Sequence, residues 1–172
     1  MRLTVFALGL LLVTPAVAQH DHGASPYVDL QSRAIKALSD QEIADLEAGN
    51  GMGFALPAEL NGYPGPKHVL EMAETLRLTD PQLEQTQALF ERMQTATQAM
   101  GKRLIALERD LDAAFAGRQI DEQQLVDLTS AAGAQRAAIR AEHLRAHLAM
   151  MDILTSEQVH QYRMARGYHG GH

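Results

Sequence analysis

The chain has 172 residues with no cysteine, no tryptophan, eight methionines, eight histidines and a formal charge of −6. Without cysteine there are neither disulfides nor thiolate metal sites, and the acidic balance argues against nucleic acid as a partner. The length suits one domain with a modest core, so stability has to come from packing.

At the amino terminus, Arg2 precedes an apolar run from Val5 to Val13, and Ala16-Val17-Ala18 supplies the small residues of a cleavage site. Residues 1–18 therefore read as a signal peptide, with Gln19 starting the mature chain. The run is too short to span a bilayer and no cysteine follows the site, so export to the periplasm without a membrane anchor is expected. Removing residues 1–18 leaves 154, with one more net negative charge because Arg2 is lost. Residues 19–65 form an N-terminal extension. Its polar start is expected to be disordered, Tyr27 to Ala37 is open to helix, and Ser39 with Glu42 caps a helix from about Asp40 to Ala48. A Gly/Pro-rich connector, Gly49 to Pro66, then either wraps the helices or forms a functional loop.

Residues 66–166 carry the helical signal. Pro66 opens a helix running to about Arg77. The phrase Leu78-Thr79-Asp80-Pro81-Gln82 returns as Leu154-Thr155-Ser156-Glu157-Gln158, each with Thr as N-cap and Gln at the third helical position, able to reach back to the cap amide. Asp121 and Gln124 repeat that grammar, so the fold class is all-α. From Asp80 the apolar residues Leu83, Phe90, Met93, Met100, Leu104, Leu107, Leu111 and Phe115 follow three-four spacing, with Thr86 and Thr97 in the same seam. Gly117-Arg118-Gln119 breaks this helix, and a second runs from Glu122 to about Leu154. So short a connection implies a long antiparallel helical hairpin with short flanking helices. The Ala-rich stretch 131–138, with Gly133, is expected to let the two rods approach closely. A short helix from about Ser156 to Arg166 precedes a His/Gly tail, residues 167–172, expected to be disordered. Two long helices leave apolar faces uncovered, which points to a homodimer, a four-helix cradle, unless the extension covers the seam.

The histidines suggest a metal. His143 and His147 are four apart and share a helix face, with Met150 and Met151 one turn on. Reflecting positions about the two turns brings His68 and Glu91 to the height of His147. The candidate ligand set is His68, Glu91, His143, His147 and Met151, a donor set suited to Zn, Cu, Ni or Co and not to Ca or Mg. The competing reading makes His143 and His147 hydrogen-bonded packing residues. His20, His22, His169 and His172 at the ends suit only weak metal scavenging. No cofactor is required by this pattern, and no enzyme constellation emerges: there is no cysteine nucleophile and no Gly-rich phosphate loop, and Glu142 points away from the adjacent His143.

Export, a long helical hairpin and the two phrases built on Leu78, Thr79, Gln82 and Leu154, Thr155, Gln158 together resemble the LTxxQ family of periplasmic proteins, which includes Spy, CpxP and the zinc-responsive ZraP. The resemblance spans about residues 66–166. It implies a dimeric cradle that binds unfolded or stressed envelope proteins without ATP. The nickel-cobalt sensor CnrX is similar in placing His-x-x-x-His, Glu and His-x-x-x-Met on a helical hairpin, in a different chain order. This chain departs from the basic concave face of Spy-like cradles: it is acidic, with Arg136, Arg140 and Arg145 its clustered basic stretch.

Overall fold

A computed structural model describes residues 25–168, where every regular element is helical. Residues 1–18, read above as a signal peptide, and the terminal His20, His22, His169 and His172 lie outside the described residues. A 3₁₀ turn at Val28–Ser32 is followed by α1 (Asp40–Ala48), α2 (Leu56–Glu59), α3 (Pro66–Glu71), α4 (Asp80–Ala116), α5 (Glu122–Ile153) and α6 (Ser156–Ala165).

Four of these helices start where cap chemistry dictates. Ser39, Thr79, Asp121 and Thr155 each accept a hydrogen bond from the backbone of the third residue of the helix, and the side chains of Glu42, Gln82, Gln124 and Gln158 accept one from the cap amide. Each such box satisfies two backbone donors that the helix cannot, a stabilisation of about 1 kcal/mol per cap. α3 stops at Glu71, short of the expected Arg77. The Leu78 amide instead bonds the Ala73 carbonyl and Arg77 adopts φ +49°, turning the chain so that Leu76 is buried and Thr79 is free to cap α4.

The 37-residue α4 and the 32-residue α5 are in contact. The Gln82 amide bonds the Ile153 carbonyl and the Gln135 amide bonds the Met100 carbonyl, both at 2.9 Å, so partners move down α5 as residue number rises on α4. Two apolar clusters hold the fold. One joins Ile35, Leu38 and Leu46 of the extension to Leu104, Ile105, Ala132 and Ile139; the other joins Val69, Leu76, Met150, Leu154 and Tyr162. Burying each such Leu or Ile is worth about 1.5–3 kcal/mol, so the extension is a structural part of the bundle.

Within the Ala-rich stretch Ala132 is buried in the first cluster with Leu104 and Ile105, but Gly133 takes no part in a close contact. Gly133 has no atom within 4 Å of where a Cβ would stand, because it lies 100° around α5 from the buried Ala132. Gly101 of α4 is the contact point: a Cβ there would overlap the Leu46 carbonyl of α1. Coverage by the extension ends near Ile105. Between residues 106 and 131 no residue is buried, and Phe115 and Val126 are 54% and 48% exposed. Leu83, expected in the seam, is also exposed, as is Leu148 of α5. Among the described residues no helix is long and apolar enough to cross a membrane.

Candidate functional site

The connector between α1 and α3 folds over the middle of α5 and leaves a cavity of about 470 Å³. Its walls include Met52, Leu56, Phe90 and Met93, and its polar edge is formed by Glu59, His68, His143 and His147.

His143 and His147 reach it because their four-residue spacing puts both rings on the buried face of α5, with Ala146 and Met150. A ring nitrogen of His147, Nδ1, donates to the Tyr63 carbonyl at 2.7 Å. That bond fixes the ring and leaves Nε2 with the lone pair when the ring is neutral. The His143 ring stacks on Phe54 with centroids 6.1 Å apart, and its Nε2 is buried without a hydrogen-bond partner. Burial, and then the neighbouring His147, pushes the His143 pKa below the ordinary imidazole value.

Glu59, only 7% exposed, is the least expected member of this set. Its Oε1 accepts from the Tyr162 hydroxyl at 2.6 Å, the Tyr168 hydroxyl at 3.0 Å and Arg166 Nε at 3.2 Å. Its Oε2 is buried with no hydrogen-bond partner, 3.8 Å from His147 Nδ1, which is beyond hydrogen-bonding distance. Burial, and then the bond to Glu59, raises the Tyr162 pKa, so this phenol is a donor at every physiological pH. Gly65 closes the cluster: a Cβ would stand 2.8 Å from His147 Cε1, so only glycine lets the connector lie against the ring.

Of the sequence-derived candidates, His68, His143 and His147 line this one cavity, with His68 Nδ1 hydrogen-bonded to the Glu71 carboxylate at 2.8 Å. His68 in turn holds the Glu71 carboxyl below its ordinary range. Glu91 does not line it. Glu91 is exposed and accepts a hydrogen bond from Gln87, because residue 91 lies 200° around α4 from the inward-facing Met93. Met151 is 39% exposed, and its neighbour Met150 takes the buried position. Reflection about the turns gives height along a rod and says nothing of azimuth, which is why the carboxylate at the cavity is Glu59. Among the described residues, no three His, Asp or Glu side chains are grouped as a metal-holding set.

The repeated phrases form a second constellation at the C-terminal end of α5. Gln82 Nε2 donates to Gln158 Oε1 at 2.8 Å and Gln158 Nε2 donates to Gln82 Oε1 at 3.0 Å. Each amide also bonds a carbonyl before the other's helix, Ile153 for Gln82 and Leu76 for Gln158. The arginines are partly engaged within the chain: Arg136 lies over the Phe54 ring at 5.6 Å and Arg145 pairs with Glu142 at 3.0 Å. No protein-family model matches this chain, and no curated protein or solved structure matches it.

Proposed function

We propose that this protein is an exported, ATP-independent holdase of the LTxxQ type, acting in the periplasm on unfolded or stressed envelope proteins. The observation that carries the reading is the mutual bonding of Gln82 and Gln158, which gives the two copies of the repeated phrase a shared role in closing one end of the long helical pair. The uncovered far end of that pair supports it further. Phe115, Val126 and the partly exposed Leu111, Leu125 and Leu128 offer an apolar surface that is left uncovered among the described residues, suited to a client segment or to the second copy of a dimeric cradle. The test is light scattering of a thermally denatured client enzyme. Suppression at near-stoichiometric ratio is expected, weakened by Phe115→Ser/Val126→Ser with helix content unchanged; no suppression at several-fold excess rejects the reading.

A second reading, a heavy-metal-binding sensor or buffer, is favoured by one observation: His68, His143 and His147 line the same cavity. Imidazole donors suit Zn, Cu, Ni or Co. Calorimetric titration with these ions against His143→Ala/His147→Ala tests it, and equal affinity for both chains removes the site.

A further inference from the structure

We propose that the uncovered end of the helical pair captures basic, apolar segments of other proteins, stretches in which lysine or arginine stands between large aliphatic residues. The proposal rests on the holdase reading above and names the class of client that this face selects.

The chain itself shows how this face is covered nearer the middle of the rods. Ile105, Glu108, Asp112 and Phe115 follow one another at intervals of three, four and three residues, so they form one stripe along α4. At the inner end of the stripe Ile105 is buried in a cluster with Ile35 and Leu38 of the extension. Lys36 lies between those two residues in sequence, and its Nζ stands 3.9 Å from Asp112 Oδ2. The segment Ile35-Lys36-Ala37-Leu38 thus covers the stripe with aliphatic side chains and meets its carboxylate with an ammonium. Beyond Asp112 the stripe runs on to Phe115, more than half exposed, where that cover has ended.

Charge selects what can extend the cover. Residues 106–131 hold six carboxylates, at Glu108, Asp110, Asp112, Asp121, Glu122 and Asp127, against the guanidiniums of Arg109 and Arg118. Among the described residues, Asp112 is the one of these carboxylates in an ion pair, the contact with Lys36. Glu108 lies in the stripe between Ile105 and Phe115, and on α5 Glu122 stands four residues before the exposed Val126, so carboxylates alternate with uncovered apolar groups. An anionic occupant, whether nucleic acid, an acidic segment or an anionic membrane surface, is repelled by this excess. A second copy laid with the same face against this one brings two sets of carboxylates together. A neutral apolar segment covers Phe115 and Val126 but takes water from Glu108 and Glu122 without replacing it. A segment that alternates lysine with aliphatic residues covers the apolar groups and pairs the carboxylates, the arrangement that residues 35–38 already make on the same stripe.

The experiment is fluorescence anisotropy of labelled peptides titrated with the full chain, the peptides repeating Ile-Lys-Ala-Leu, Ile-Gln-Ala-Leu or Ile-Glu-Ala-Leu. Saturable binding of the lysine peptide is expected, weakened by added salt, at least about tenfold weaker for the glutamine peptide, and absent for the glutamate peptide. Glu108→Gln/Glu122→Gln should lower the affinity for the lysine peptide by about fivefold or more and leave the glutamine peptide unchanged, whereas Phe115→Ser should weaken both. Circular dichroism checks that these surface changes keep the helices. Equal binding of the three peptides overturns the proposal, as does an unchanged lysine-peptide affinity in Glu108→Gln/Glu122→Gln, or a dimer that Phe115→Ser dissolves and the lysine peptide does not. The holdase reading fails separately: lysine-peptide binding at this face without suppression of any client's aggregation removes that reading and keeps the docking surface, while suppression with equal binding of all three peptides keeps the holdase and removes the selectivity proposed for it.

Discussion

The side-chain amides of Gln82 and Gln158 face each other and exchange two hydrogen bonds, at 2.8 and 3.0 Å, although 76 residues separate them in the chain. Each amide oxygen also receives its own cap amide, Thr79 N at 3.1 Å and Thr155 N at 2.9 Å. The group that starts each helix is thus the group that ties it to the other, and local and tertiary structure share one set of atoms.

Truncating either glutamine removes a cap and the cross-helix bonds together. Gln158→Ala is expected to cost about 2–3 kcal/mol, since buried partners lose their bonds. Gln82→Ala/Gln158→Ala should cost less than the sum of the single changes, with a coupling of about 1 kcal/mol. Urea unfolding followed by circular dichroism measures both; strict additivity would contradict the pairing.

The two helix glycines should respond in opposite directions. Gly101→Ala places a methyl group into the Leu46 carbonyl and should cost about 1–3 kcal/mol or more, as α1 is pushed from α4. Gly133→Ala meets nothing within 4 Å and should stabilise the chain by about 0.5–1 kcal/mol through helix propensity. Thermal melts of the two variants decide it, and a stabilising Gly101→Ala would remove the α1 contact from the fold.

Tyr162→Phe retains the buried ring and deletes the 2.6 Å hydrogen bond to Glu59. With a charged acceptor the loss should be about 1.5–3 kcal/mol. Tyr168→Phe, at the partly buried end of the same network, should cost less. Equal, near-zero effects in chemical denaturation would mean that Glu59 does not hold the C-terminal residues.

Acid should weaken the fold through His143. Its folded pKa lies below the 6.5 of the free ring, so its contribution is fully present above about 6.5. As pH falls from there toward the folded value, the unfolded chain takes up a proton that the folded chain refuses, and stability declines by at most about 1.4 kcal/mol per pH unit. Melting temperature followed across roughly pH 5 to 8 should show this slope in the unmodified chain and a shallower one in His143→Gln. Identical profiles would show that another group titrates.

Much of the helical layout was legible because helix starts are local events. Ser39, Thr79, Asp121 and Thr155 were readable as caps from residues three positions away, and all four boxes form. The break at Gly117 and the i, i+4 histidines were readable for the same reason. Glu59 was not, because it sits in a connector without periodicity, and its burial depends on Tyr162, Arg166 and Tyr168, more than a hundred residues further along the chain. The signal it did offer was small: Pro57, two residues before it, at the start of a one-turn helix. Tyr168 was assigned to a disordered tail on composition, yet its hydroxyl reaches the same carboxylate.

By itself, then, the order of amino acids determined where helices begin and which side chains share a face, because capping and the 3.6-residue repeat act within a few residues. Only the tertiary structure decided which faces meet. It turned Glu91 outward and Glu59 inward, set Gly101 against α1 while leaving Gly133 in the open, and brought Gln82 to Gln158, because the rotation of one helix against another is set by packing among residues far apart in the chain.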